Sequence, residues 1–344
     1  MMKIIKTEEN NINKLRMAKR KPINQDREKL IEEKYLNSDN FLPLVISPVV
    51  DGINLVAWAA KNKNFLEDRL LNYGGILFRN FNVNGVQEFQ RFLEAISRGK
   101  LVEYNYRSTP RTQVNDKIYT STEYPSNQSI PLHNEKAYSS VWPMKICFFC
   151  AQPAKQGGET PIVDSRKVYA KLDPVIKEKF MQKKVMYVRN YGDLDLSWQD
   201  VFQTANKSEV ENFCRKEGIE FEWKNNHLTT RQVCQAVAKH PHTGGMVWFN
   251  QAHLFHVSSL ETRVRESLFS LLAEDKIPRN AYYGDGSTID SSAIEEINHI
   301  YQQEKVVFSW QKGDILVLDN MLTAHGRMPF VGTRKILVGM SESY

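Results

Sequence analysis

The sequence predicts a mainly β fold with helical insertions, an antiparallel barrel or jelly roll. Two observations carry this. From Tyr104 onward, short β-type segments are separated by Pro, Gly, Asn and Asp. The final segments, Val306–Trp310, Asp314–Asp319 and Arg334–Met340, read as alternating strands.

Taken in order, residues 1–40 form an extension. Positions 1–35 are rich in Lys, Glu, Asn and Arg and poor in large apolar side chains, which predicts a frayed tail or a solvated helix over Gln25–Tyr35. A single domain is expected over 41–344. Phe41–Val50 is extended by its β-branched residues and prolines, Asn54–Lys61 and Asn64–Asn72 read as helices, and Gly74–Arg79 as a buried strand. Val86, Phe89, Phe92, Leu93 and Ile96 recur at helical spacing, so Val86–Ile96 should lay an apolar stripe on the sheet. Helices are predicted at Ser165–Leu172 and Pro174–Gln182. A helical insertion is expected over about 190–300: residues 185–250 should hold strand-like pieces at Val185–Val188 and Met246–Phe249 around helices Lys207–Gly218 and Thr230–Val237, and Leu260–Ala273 and Ser292–Glu304 read as helices.

Composition narrows the class. The 344 residues can bury a large core, and a net charge of +6 without a nucleic-acid motif points to no nucleic-acid partner. No apolar run approaches the ~18 residues of a membrane span and no signal-peptide core is visible, so a cytoplasmic protein is expected. Four cysteines are too few for a disulfide scaffold. Cys147 and Cys150 spell Cys-x-x-Cys inside an apolar run that reads as a strand, where positions three apart face opposite sides and cannot share a metal or a disulfide.

One stretch carries the chemistry. In Pro131-Leu-His-Asn-Glu135 an extended backbone puts His133 and Glu135 on one face and Asn134 on the other. With His325 from Asp319-Asn-Met-Leu-Thr-Ala-His325 they make two imidazoles and one carboxylate, a set that suits non-heme Fe(II) with positions left for a co-substrate and oxygen. Arg334 opens an apolar strand, where a guanidinium calls for an anion; the distal carboxylate of a dicarboxylate keto-acid is one, taken in a bidentate bond. Thr160, after Gly157-Gly-Glu, offers a second donor. Blander readings exist: an exposed His-x-Glu on an edge strand, His325 capping a loop, Arg334 paired with Asp319 or Glu342, Thr160 closing a turn.

Taken together, Leu132-His-x-Glu135, Gly157-Gly-Glu-Thr160, Trp310-x-x-Gly-Asp314, Asp319-Asn320, Ala324-His-Gly-Arg327 and Gly332-x-Arg334 resemble the TauD/TfdA family of Fe(II)/2-oxoglutarate-dependent oxygenases, from about Phe41 to Met340. The resemblance implies a double-stranded β-helix (jelly roll, clavaminate synthase-like), Fe(II) on His133, Glu135 and His325, 2-oxoglutarate on Thr160 and Arg334, and O2 as oxidant. Arg107-Ser-Thr-Pro-Arg111, Trp248-Phe-Asn250 and Tyr283-Gly-Asp-Gly286 are similar to the SyrP-like branch, which implies β-hydroxylation of an amino acid, free or tethered to a peptidyl carrier protein, in specialised metabolite biosynthesis. Two departures from the taurine-type pattern inform the substrate. Glu135 stands where the larger group has Asp, and it fills the position a halide would need; Val338 stands where a sulfonate-binding arginine would fall.

Arg107, Arg111, Asn250 and Asp285 are the candidate substrate-binding groups, and Arg327 is a candidate for the keto-acid or a substrate carboxylate. Three alternatives stand beside hydroxylation. They are a catalytically silent metal-binding or regulatory protein of the same fold, a related oxidase performing desaturation or cyclisation, and a zinc hydrolase, in which Arg334 and Thr160 would have no task.

Overall fold

The computed structural model describes residues 30–37, 40–192 and 194–344. An eight-stranded sheet forms its backbone, in the spatial order Ile31–Asn37, Asn40–Pro48, Gly75–Phe78, Ile315–Asp319, Pro143–Gln152, Lys335–Ser343, Ile118–Thr120 and Gln113–Asn115. Neighbours are antiparallel except Asn40–Pro48 with Gly75–Phe78, which are parallel because the helices Leu55–Lys61 and Lys63–Tyr73 carry the chain back across the sheet. A three-stranded sheet, Ile130–His133, Thr323–Arg327 and Ile162–Asp164, lies against its inner face, giving the double-stranded β-helix.

Strand alternation sorts the core into two layers. Ile76, Phe78, Cys147, Phe149, Ile315 and Val317 face outward onto the helices. Leu77, Phe148, Cys150, Leu316, Ile336 and Val338 face inward. Cys147 and Cys150 therefore sit on opposite sides of strand Pro143–Gln152, both as free thiols. The helix Val86–Ile96 buries Phe89, Phe92, Leu93 and Ile96, as its spacing predicts, with Phe89 stacked on Phe149 at 5.4 Å.

Four expectations change. Residues 31–37 are neither tail nor helix but an edge strand paired with Asn40–Pro48, because an adjacent apolar strand offers a ladder that outweighs local composition; residues 1–29 lie outside the described residues. The insertion carries its own four-stranded sheet, Glu220–Lys224, His227–Cys234, Val185–Tyr191 and Arg279–Tyr283, besides its helices. The helix expected over Thr230–Val237 is instead mostly the strand His227–Cys234. Its buried alternate positions include Thr230 and Gln232, whose polarity hid the period of two; Thr230 meets the Tyr191 hydroxyl and Gln232 the Glu217 carbonyl. Val306–Trp310 buries Val306, Phe308 and Trp310 in alternation, yet only Val306 pairs, with Ile162, so this segment lies along the core without a partner strand. Among the described residues no helix is long and apolar enough to cross a membrane.

Candidate metal centre

The antiparallel register of Ile130–His133 against Thr323–Arg327 places His133 directly opposite His325. Their rings are 4.6 Å apart. Glu135, two residues beyond His133, returns its carboxylate to the same side, and one ligand atom from each of the three residues lies within 4.8 Å of the others. Asn134 points away, donating to Ser165 Oγ and to the Asn320 carbonyl. The close approach of the two strands depends on Gly326, where a Cβ would stand 2.6 Å from the Ile130 carbonyl oxygen.

The side chains are prepared for a cation. His133 Nδ1 sits 2.8 Å from the Pro131 carbonyl oxygen, so Nδ1 carries the proton and Nε2 keeps its lone pair. Loss of water around both imidazoles lowers their pKa, that of His325 well below the ordinary range; the His133 ring and the Arg111 guanidinium lower His325 further, and Arg111 also lowers His133 against the opposing pull of Glu135. Both rings are thereby held in the neutral, ligating form. Glu135 is fixed through its backbone: its N–H donates to Asn320 Oδ1 at 2.7 Å, and Asn320 Nδ2 donates to its carbonyl at 2.9 Å. Asn320 in turn rests on Asp319, whose carboxylate accepts from Met321 N, Leu322 N and the buried His240. A nitrogen, nitrogen, oxygen donor set on one side of a buried cavity fits a divalent metal such as Fe(II).

Four other cationic or polar groups reach the same cavity or its rim. Arg111 is buried, stacks on Tyr104 at 4.4 Å and donates Nη2 to Glu135 Oε2 at 2.7 Å, leaving Nε and Nη1 without partners among the described residues. Arg334 donates to the Gly158 carbonyl and to Ser121 Oγ, and no carboxylate of the described residues meets it. Burial, and then Arg327 beside it, pushes its pKa down to about 10. The alternative ion pairs of Arg334 do not form: Asp319 is engaged by His240 and Glu342 by Lys145. Thr160 Oγ1 accepts from Trp310 Nε1 at 3.1 Å, so its own proton is free for an acceptor in the cavity. Arg327 lines the cavity, but both of its terminal nitrogens are spent on the carbonyls of Tyr124, Pro125 and Gln128, which makes it chiefly an anchor for that loop.

Three of the four expected substrate residues are not brought to this cavity. Arg107 donates to the Tyr104 carbonyl and Gln203 and lines a separate polar depression. Asn250 is fully buried with both ends of its amide engaged, by the Ala236 carbonyl and Ala252 N–H, so it braces a turn. Asp285 is exposed and paired with Lys183. Their polarity in loops is the signal, and it is spent on bonds to other segments of the chain. What does adjoin the metal cavity is a larger cleft of about 660 Å³, which shares Thr122 and Ile130 with it. Its far wall is apolar, formed by Leu254, Phe255, Val264 and Leu268 of the insertion, with the ion-paired Arg279 and Asp195 at one side. Asn320, His240, Gln251 and His253 had no role assigned from sequence; only the Asp319-Asn320 pair was marked there, as part of a motif.

Comparison with known proteins agrees with this geometry. The family model described as taurine catabolism dioxygenase TauD, TfdA family, matches residues 40–341. The dapdiamide synthesis protein DdaC of Enterobacter agglomerans is 42% identical over 279 residues, covering 80% of this chain and 84% of that protein. A clavaminate synthase-like protein of Arabidopsis thaliana is 29% identical over 332 residues, covering 90% and 96%. Among solved structures, the PvcB protein from Pseudomonas aeruginosa superposes with a TM-score of 0.55 at 13% identity, covering 91% of each chain, a likeness of fold. The chain belongs to the TauD/TfdA family and is an Fe(II)- and 2-oxoglutarate-dependent dioxygenase.

Proposed function

We propose that this dioxygenase hydroxylates an unactivated C–H, at the β-carbon, of an amino acid that is free or carried as an aminoacyl group on a peptidyl carrier protein. The observation that carries the reading is the convergence of His133, Glu135 and His325 in one cavity with Thr160 and with Arg334, which no carboxylate of the described residues meets. When bound, Fe(II) with 2-oxoglutarate and O2 supplies the oxidation: one oxygen atom enters the C–H bond, the other enters succinate, and CO2 leaves. This chain's residues do the rest. His133, Glu135 and His325 hold the metal on one side. Arg334 takes the distal carboxylate of 2-oxoglutarate with Thr160 as second donor, and the cleft toward Val264 and Leu268 receives the substrate body. Arg111 keeps two donors for a polar group of the substrate while it holds Glu135.

Two residues narrow the outcome. Glu135 occupies the position a halide would take, which favours oxygen over halogen transfer. Val338 is fully buried in the inner core and offers no cation for a sulfonate. The relative DdaC is named for dapdiamide synthesis, which supports a biosynthetic setting. We also place the oxygenase domain from Ile31 rather than from residue 41, since strand Ile31–Asn37 belongs to its main sheet.

The test is an anaerobic titration with Fe(II) and 2-oxoglutarate, followed by a screen of free and carrier-loaded amino acids for succinate release. The expected product has gained one oxygen atom. A chlorinated product, sulfite release from taurine, or loss of two hydrogens without gain of oxygen would overturn the hydroxylation reading.

A further inference from the structure

The metal-bearing segment 130–138 is an edge. Strand Ile130–His133 has one ladder partner, Thr323–Arg327, so the peptide groups that alternate with the His133–His325 pair point away from the sheet and need partners elsewhere. The insertion supplies them. His253 Nε2 lies 2.7 Å from the Leu132 carbonyl oxygen and Gln251 Nε2 donates to the Asn134 carbonyl at 2.7 Å. Gln235 and Cys234 continue the row, on the carbonyls of Ala137 and Tyr138. Leu132 and Asn134 flank His133, and the Asn134 carbonyl belongs to the peptide unit that carries the Glu135 nitrogen.

Gln251 and His253 are themselves rigidly held. Both are buried; Gln251 N–H donates to the Tyr187 hydroxyl at 2.7 Å, and the His253 ring packs on Tyr301 at 4.7 Å. His253 Nε2 carries the proton donated to the carbonyl, and Nδ1 meets no partner among the described residues; burial lowers the pKa of the ring to about 4, so it is neutral with the proton on Nε2. The next residues, Leu254 and Phe255, form part of the cleft wall, so one short helix, Ala252–Phe255, touches both the cleft and the metal strand.

We infer that Gln251 and His253 are positioning residues of the metal centre, by which the insertion fixes the two peptide carbonyls flanking His133 and so the spacing of His133 and Glu135. This rests on His133, Glu135 and His325 as the metal ligands. It also makes the insertion a working part of the metal site: the helix that receives the substrate body is tied by two buried hydrogen bonds to the strand that carries the metal.

The test uses anaerobic Co(II) titration, read by visible absorption, and hydrogen exchange of the metal-free chain. Partners that orient metal ligands from outside the coordination sphere typically carry 10- to 100-fold in metal affinity. His253→Leu and Gln251→Met should weaken Co(II) binding by that range and speed exchange over 130–138 but not in strand Ile315–Asp319. His253→Gln, which retains an N–H donor, should bind within a few-fold of the parent. Folded His253→Leu and Gln251→Met with parental affinity would overturn the inference, as would a His253→Gln no better than His253→Leu. Where His253→Leu does not fold, Gln251→Met and His253→Gln decide on the same two readings. A parent that binds Co(II) no more tightly than His325→Ala removes the metal assignment itself, and this inference with it.

Discussion

Arg334 concentrates the electrostatics of the cavity. Its guanidinium is desolvated, lies beside a second guanidinium and meets no carboxylate of the described residues, so its charged form is disfavoured, and the depressed pKa of about 10 expresses that cost. At neutral pH it stays protonated, and a bound dianion repays the cost. 2-Oxoglutarate should therefore raise the thermal midpoint of the metal-loaded chain, and Arg334→Ala should lose that shift. The binding loss should be roughly 2–5 kcal/mol, the scale for a buried charge left unpaired. Arg334→Lys should recover only part, because an ammonium cannot make the planar bidentate contact; an anaerobic titration giving an unchanged 2-oxoglutarate affinity in Arg334→Ala would move the co-substrate to another residue. Ala at His133, Glu135 or His325 should abolish iron-dependent turnover with circular dichroism preserved, and full activity in His133→Ala would sink the ligand assignment. At this scale the shared face of His133 and Glu135 was legible because alternation along a strand is a local property. The supports were not: Asn320, Gln251 and His253 act through atoms that sequence spacing does not relate to positions 132–135. Arg107, Asn250 and Asp285 lie away from the metal cavity; a polar loop residue bonded to another segment of the chain, as these are to Gln203, Ala236 and Lys183, reads the same in sequence as one that faces a ligand.

Two strand pairings make sharp statements at the level of elements. Gly326 lets the His325 strand approach the His133 strand, and the atom opposing a new Cβ is the Ile130 carbonyl oxygen, 2.6 Å away, which backbone geometry cannot turn aside. Gly326→Ala should cost about 1–3 kcal/mol of stability, the scale of overpacking, and should weaken metal binding because the strands must separate at the His133–His325 pair. Parental metal affinity in a folded Gly326→Ala would show that the pairing tolerates slack. Strand Pro143–Gln152 makes the second statement. Burial pushes the Cys150 thiol up to about 12, as it does Cys214 and Cys234, and raises Cys147 as well. With so little thiolate at pH 8, iodoacetamide should label none of the four in the native chain and all of them in denaturant. A raised folded pKa also fixes the sign with pH: full stability below the unfolded thiol value near 9, lost progressively toward 12. These apolar strands were readable from their runs, whereas His227–Cys234 was not, since Thr and Gln occupy its buried positions.

The whole molecule is a barrel with an insertion folded over its mouth, and the cleft between them sets what the metal can reach. Its walls come from segments far apart in sequence, Thr122 to Pro131 on the barrel side and Leu254 to Leu268 on the insertion side, so no local pattern announced it. The barrel itself was legible from strand texture and motif order. About 660 Å³ is within the range of sites that enclose drug-sized molecules and exceeds the needs of a small free amino acid. The lining cation Arg279 is already paired with Asp195, which favours an uncharged, partly apolar body over an anionic one. Val264 projects into the cleft from the helix Thr262–Leu271, which buries none of its own residues and so tolerates replacement. Val264→Trp should therefore leave Fe(II) and 2-oxoglutarate binding as in the parent while raising the KM for a substrate that fills the cleft by about tenfold, the worth of one to two kcal/mol in an apolar pocket. A free amino acid confined to the metal cavity would feel no such change. Steady-state kinetics with matched free and carrier-loaded amino acids separate the two: a carrier-loaded substrate impaired by Val264→Trp, with the free one unaffected, assigns the cleft to the tethering arm, and equal KM values for both in parent and variant would show that the cleft takes no part in catalysis.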